Sequence, residues 1–399
     1  MASHIVLSAL LFAPVALAAG PVRGAQNDEA AADLKEDVSF DRWKNIEPAL
    51  EEIRAKHDVP ALAAAVIRDG RLLTYAAVGV RKRGEDVPVT AWDKFHLGSC
   101  TKAMTATLVE VLVEQKQLRW EMTLAEALPD LADGMHPGYR KVTLLQCAAH
   151  RSGMPGADKT WPVGMDFLAV HALPGPPRAQ RRAYVEKILA QPPAARPGTR
   201  FLYSNAGYAV LGAVCEQAAD SPWEDLMEKH IFRPLRMTRT GFGAMGSPGP
   251  ITEPWQHKVF EGKETPLEPG PLIDNPPAIG PAGTVHCQIT DWAAFVEAHL
   301  DGAGGRLTPL AVKDWKRLHT PPLGGDYALG WGTAERGWAK GTALTHAGSN
   351  GMNYAVVWLA PEANFAVLVA TNTGAEAAPK ACDDVAAAMV RRFVMEEQL

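Results

Sequence analysis

Phe95-His96-Leu97-Gly98-Ser99-Cys100-Thr101-Lys102-Ala103-Met104-Thr105 is the stretch on which the reading turns. Met104, Leu108, Val111 and Leu112 recur at three- and four-residue steps, so Ser99 to Gln117 reads as a helix with that set as its buried side. Residues i and i+3 of a helix share a face, so Lys102 can set its amine beside the Ser99 hydroxyl. A serine hydroxyl is a weak nucleophile until a neighbour accepts its proton. A desolvated lysine near other cations has a lowered pKa and can be that neighbour. Ser99 also sits at a helix N-terminus, where free N–H groups favour developing negative charge. A plain N-cap serine with a solvated lysine explains the helix equally well, so the decision rests on the rest of the chain.

Outward from this stretch, Leu62–Ile67 and Arg71–Val80 are β-rich runs joined by Asp69-Gly70, a strong hairpin signal because a tight primed turn needs positive φ. Phe40, Trp43, Ile46, Leu50 and Ile53 mark one face of a helix before them. Pro and Gly are dense in 153–200 and 243–283, which predicts long loops, with helices over 181–191, 206–219 and 222–230. Strands return at Tyr327–Trp331, Leu344–Ala347, Tyr354–Leu359 and Phe365–Thr371, with Pro361–Asn364 turning between the last two. Val385, Ala388, Met389 and Phe393 mark a closing helix. The expected architecture is a mixed α/β fold. Strands from the two ends share one antiparallel sheet flanked by helices, and an α-rich lobe, roughly residues 120–280, is inserted between them.

Composition narrows the function. The 399 residues carry a net charge of −5 with 47% hydrophobic residues, which is globular composition without the basic stripe of a nucleic-acid binder. Cys100, Cys147, Cys215, Cys287 and Cys382 are scattered, with no Cys-x-x-Cys and no His-Glu-x-x-His, so no metal and no cofactor is expected. Ile5 to Ala19 is an apolar run too short for a comfortable span, ending in Ala16-Leu17-Ala18, a small-x-small cleavage pattern. Residues 1–18 therefore read as a signal peptide, 19–37 as a flexible leader, and the folded domain as 38–399 of a periplasmic or secreted protein. No later apolar run is long enough for a membrane span.

Two further motifs follow Ser-x-x-Lys in order: Tyr203-Ser204-Asn205 and His346-Ala347-Gly348. Each is short enough to arise by chance, and the order and placement carry the weight. Together with His150-Arg151-Ser152-Gly153 and Pro281-Ala282-Gly283-Thr284, they make the chain resemble the serine β-lactamase and penicillin-binding family. The likeness is to its branch of class C-type enzymes, related esterases and D-amino-acid-specific peptidases, and runs from about Val38 to the end. It implies the β-lactamase/transpeptidase-like fold and a serine hydrolase working through an acyl-enzyme on a small-molecule or peptide substrate. Ser99 would be the nucleophile, with Lys102 and Tyr203 sharing proton transfer. Asn205 would orient substrate or lysine, and His346, Gly348 and Ser349 would bind substrate. The N–H groups of Ser99 and Ser349 would form the oxyanion hole. His150 would hold backbone, and Cys100 would be a small buried hydrophobe facing away from Ser99 and Lys102.

One departure matters. Where the family has lysine or histidine in the third motif, this chain has His346, mostly neutral at pH 7 with an ordinary pKa of about 6.5. That argues against efficient β-lactam hydrolysis and favours esters or D-amino peptides. If His346 meets an anionic substrate group, its titration should weaken that binding between pH 6 and 8; otherwise Asn350 and Asn353 are the nearest polar candidates in sequence. An α/β-hydrolase is excluded because no Gly-x-Ser-x-Gly occurs. The competing class is a catalytically silent scaffold or binding relative, whose signature would be loss of Ser99, Lys102 or Tyr203. Export predicts a mature N-terminus near Ala19; N-terminal sequencing of protein from cells that returns Met1 would overturn it.

Overall fold

The computed structural model describes residues 45–156 and 160–396. The expected signal peptide, the leader, the domain start at Val38 and the helical positions Phe40 and Trp43 lie outside those residues. The chain opens with α1 (Glu47–His57), followed by the hairpin of β1 (Ala61–Arg68) and β2 (Arg71–Gly79). Asp69 and Gly70 both take positive φ, 52° and 73°, as the tight turn requires. Strand β3 (Lys94–His96) leads through a turn into α2 (Thr101–Glu114). Then come α3 (Pro177–Leu189), α4 (Asn205–Ala219), β4 (Thr240–Phe242), β5 (Gln256–Phe260), β6 (Lys263–Leu267), β7 (Val285–Gln288) and α5 (Ile289–Ala303). The end holds β8 (Gly332–Arg336), β9 (Gly341–Ser349), β10 (Tyr354–Ala360), β11 (Phe365–Thr371) and α6 (Ala377–Val390).

Six strands form one antiparallel sheet in the order β2-β1-β11-β10-β9-β8. β1 and β11 pair in the centre, with Ala63 opposite Ala370 and Ala65 opposite Leu368. Alternation sorts their side chains: Ala63, Ala65, Ile67, Ala366, Leu368 and Ala370 join the main core with Trp292, Phe295 and Val296 of α5. Helices α1 and α6 pack on the sheet as well, and on each other. Small residues at the centre let helices approach from both faces, which is why both strands are buried nearly throughout.

Two sequence expectations need correction. Tyr327–Trp331 is a turn, not a strand: the Ala328 N–H donates to the Trp331 carbonyl at 2.7 Å, and Gly330 at φ 82° packs so tightly that a Cβ would lie 2.6 Å from Ala103 Cα. The edge strand starts one residue later, at Gly332. The loop expected over 243–283 also contains a hairpin, β5–β6, turned by Glu261 and Gly262, both at positive φ.

Helix α4, which begins with Asn205, is held by a buried ion cluster. Arg181 of α3 is fully buried and meets Glu216 of α4 at 3.0 Å and Glu224 at 2.6 Å. Burial pushes the Glu216 carboxyl up to about 7 against the pull of Arg181. Removing one partner of such a group leaves an uncompensated charge, so Arg181→Leu should lose about 3–5 kcal/mol of unfolding free energy near pH 8. Glu216 binds its proton more tightly folded than unfolded. Below its folded pKa Glu216 carries no charge to be left unpaired, and the other carboxylate, Glu224, is partly exposed to water, so the loss should shrink near pH 5. Urea unfolding at the two pH values checks this, and equal losses would refute it.

Candidate active site

Strand β3 ends at His96, and one 3-10 turn, Gly98–Cys100, carries the chain into α2. Gly98 takes φ 49°, and a Cβ there would lie 2.4 Å from the Ser349 backbone nitrogen. On the other side, a Cβ on Gly348 would lie 2.0 Å from the Leu97 carbonyl and 2.6 Å from the Ser99 nitrogen. Only glycine at both positions lets the end of β9 ride directly on the turn. The backbone nitrogens of Ser99 and Ser349 are thereby brought together, one at the head of a helix and one at the end of a sheet strand.

Lys102, the fully buried second residue of α2, reaches back to this point. Its ammonium nitrogen lies 3.0 Å from Ser99 Oγ, 2.9 Å from Asn205 Oδ1 and 2.7 Å from the Ala282 carbonyl. Burial lowers its pKa to about 7, with no carboxylate opposing that shift. Ser99 is half-buried, whereas the amine behind it is fully buried. Asn205 is fixed from its other end by Nδ2 donating to Thr160 Oγ1 at 3.3 Å. Ala282 belongs to the short helical turn Gly280–Gly283, tied to α2 by the Thr105 hydroxyl donating to the Pro281 carbonyl at 2.8 Å.

Tyr203 interacts with Ser99 through its hydroxyl, and its ring centre stands 4.8 Å from the Lys102 nitrogen. Burial raises its pKa above the ordinary phenol value. His150, at φ 55°, props it from behind: the rings lie 4.3 Å apart, and His150 Nδ1 accepts the Ser204 N–H at 3.1 Å. Ser204 in turn caps α4, accepting the Gly207 N–H at 3.2 Å. Cys100 points away from the serine and lysine, as expected, its thiol 3.4 Å from the His346 carbonyl. All five cysteines are free and buried.

His346 lies beside this group but does not behave as a charge. It is buried, with Nδ1 2.7 Å from the Ala347 carbonyl and Nε2 3.0 Å from the Tyr327 hydroxyl. A carbonyl only accepts, so Nδ1 carries the proton and Tyr327 donates to Nε2. Burial, reinforced by Lys102, lowers the imidazole pKa to about 3. The expectation that His346 titrates between pH 6 and 8 is therefore corrected: it stays neutral across that range. Asn350 and Asn353 are committed internally. Asn350 Nδ2 donates to Gln256 Oε1 at 2.8 Å and to Asp274 Oδ1 at 3.0 Å, and Asn353 Nδ2 also donates to Gln256. Ser349 is exposed, its hydroxyl donating to the Asn353 carbonyl at 2.7 Å.

The structure thus brings together Ser99, Lys102, Tyr203, Asn205, His346, Gly348 and Ser349. Sequence reasoning missed Tyr327, which lay in a run read as strand; the Pro281-Ala282-Gly283-Thr284 motif was quoted, but not that its Ala282 carbonyl would meet Lys102. Among the described residues, no group of three or more His, Cys, Asp or Glu could hold a metal ion, and no helix is long and apolar enough to cross a membrane.

A family model described as Beta-lactamase matches residues 46–390. Penicillin-binding protein 4 of Amycolatopsis lactamdurans is 29% identical over 344 residues, covering 81% of this chain and 84% of that protein. An unguisins hydrolase of Aspergillus violaceofuscus is 28% identical over 248 residues, covering 60% of this chain but only 42% of that protein. The solved octameric penicillin-binding protein homologue from Pyrococcus abyssi aligns with a TM-score of 0.69 at 21% identity, covering 86% of this chain and 76% of that one. At that identity the likeness establishes a shared penicillin-binding, transpeptidase-like fold.

The buried amine has a measurable consequence. Between pH 7 and 10 the unfolded Lys102 holds a proton that the folded one has released, so native stability gains about 1.4 kcal/mol per pH unit from this group. Lys102→Met lacks that slope. Its stability relative to the native protein should be highest at or below pH 7 and fall as the pH rises, in urea unfolding from pH 6 to 9. A difference independent of pH would show that Lys102 is not held neutral.

Proposed function

The chain belongs to the β-lactamase family, and we propose that it is a serine hydrolase working through an acyl-enzyme at Ser99. The observation that carries this reading is the Lys102 amine, buried, 3.0 Å from Ser99 Oγ and with a pKa of about 7. A free-base amine at that distance accepts the serine proton as the hydroxyl attacks a carbonyl carbon. Tyr203, in contact with Ser99, shares the transfer and passes the proton to the leaving group. The N–H groups of Ser99 and Ser349 receive the oxyanion of the tetrahedral intermediate. Water then attacks the acyl carbon, its proton goes to the same bases, and Ser99 is released with the acid product.

The alternative, a silent scaffold, loses support because Ser99, Lys102 and Tyr203 are all present and in mutual contact. Within the family, the neutral His346 favours uncharged esters or amides over β-lactams, whose carboxylate would meet no fixed cation at the third motif. We also propose that the protein acts after export, on the strength of the apolar run ending at Ala18.

Ser99→Ala should abolish turnover and labelling by a fluorophosphonate, because removing the nucleophile of a cooperating set costs about a million-fold. A purified folded variant with unchanged activity would falsify the assignment. In the native protein, kcat/KM for a neutral p-nitrophenyl ester should rise from pH 6 to 8 as Lys102 loses its proton, and level off above. A profile flat over that range would exclude Lys102 as the base. Parallel assays with nitrocefin and D-amino peptides assign the substrate class.

A further inference from the structure

Outside the motifs, one buried cluster touches both arms of the oxyanion site. His96, fully buried at the end of β3, accepts the Gly98 N–H on Nδ1 at 3.1 Å. Gly98 is the residue whose left-handed backbone starts the Ser99 turn. With Nδ1 accepting, the imidazole proton is on Nε2, which lies 2.9 Å from Asp274 Oδ1. The contact is close but not aligned as a hydrogen bond, so the Nε2–H meets the carboxylate as a dipole facing a charge. Asp274 is 2% exposed, and the same oxygen accepts Asn350 Nδ2 at 3.0 Å. Asn350 directly follows Ser349, and its own Oδ1 accepts the Met352 N–H at 3.1 Å, folding the loop beyond β9. Asp274 is held on its backbone side by His171 Nε2, 3.0 Å from its carbonyl.

We propose that His96 and Asp274 are positioning residues for catalysis: through Gly98 on one side and Asn350 on the other, they set the spacing of the Ser99 and Ser349 N–H groups. This deepens the serine-hydrolase reading and rests on it. The physical argument is one of economy of connection. The two N–H groups come from segments 250 residues apart in sequence, and their glycine contact fixes how close they can come but not their lateral offset. One carboxylate oxygen joined to both segments fixes the offset. Donors aimed at developing charge must be in place before reaction, and a displacement of about 1 Å can cost about 100-fold in rate. Neither residue is in the Ser-x-x-Lys, Tyr-x-Asn or His-x-Gly motifs, and neither contacts Lys102.

The test uses the full chain with p-nitrophenyl acetate as substrate and phenylboronic acid as a tetrahedral mimic bound through Ser99. Asp274→Ala should lower kcat and kcat/KM together by about 10- to 100-fold with KM little changed, and should weaken the boronate by a similar factor. Asp274→Asn keeps an oxygen for Asn350 and should recover most of the loss. His96→Gln combined with Asp274→Ala should cost about as much as the worse single variant, because both act through one link. Should His96→Gln fail to fold, Asn350→Ala replaces it in that comparison. Variants with lowered Tm but unchanged kcat/KM and boronate affinity would make the pair a packing element and overturn the proposal. Equal losses in Asp274→Asn and Asp274→Ala, or losses that multiply in the double variant, would overturn it too. A native protein that neither hydrolyses esters nor is labelled at Ser99 would instead sink the parent reading, and this one with it.

Discussion

The site depends on the contact between two glycines' backbones. Gly98 and Gly348 face each other so closely that a Cβ on either would enter the other segment's main chain. Strand β9 cannot shift to relieve this, because its pairing with β10 is continuous from Leu344–Leu359 to Ser349–Tyr354. The Ser99 turn cannot shift either: the Leu97 N–H donates to Val285 at 2.9 Å, and Thr101 Oγ1 accepts the Val285 N–H at 3.1 Å. Sheet and turn are thus clamped against each other at atomic separation. The two backbone nitrogens at the contact inherit their closest approach from that clamp, and their lateral offset is left to the side-chain contacts made through Gly98 and Asn350.

Behind the clamp sits the lysine whose burial would be costly as a cation. Its three partners suit a neutral amine, whose two protons go to the Asn205 and Ala282 oxygens while its lone pair accepts the Ser99 hydroxyl, but they supply no negative charge to hold an ammonium. Desolvation therefore wins, and the amine approaches neutrality near physiological pH. A fold that stores such a group gives up stability at the place where it holds a near-neutral amine. The burial comes from α2 itself. Thr101 to Leu112 are all buried, which marks a helix enclosed on every side rather than one lying on a surface.

Much of this was legible in the sequence, for definable reasons. The hairpin at Asp69-Gly70, the strands Tyr354–Ala360 and Phe365–Thr371, and helices α2 and α4 follow from periodicity and turn chemistry acting within a few residues. What stayed hidden depends on long-range contacts. Tyr327–Trp331 has the composition of a strand, but Gly330 is there to let the chain pass over Ala103. The β5–β6 hairpin shows no clean alternation of burial and turns on Glu261-Gly262 rather than Asn-Gly. The roles of His96 and Asp274 could not be read because they meet 178 positions apart, and nothing near either one announces a partner.

His346 shows why a motif's residue type and its charge state are separate matters. Histidine on the strand suggested a switchable cation facing the substrate. In the fold, the same ring is sealed by the Tyr327 hydroxyl on one nitrogen and a carbonyl on the other. A proton added to Nε2 would turn it from acceptor to donor facing a donor hydroxyl, while Lys102 repels the charge. Tyr327 can rotate to accept instead, but the burial cost remains. The third motif of this chain therefore presents a neutral, buried ring rather than a fixed cation.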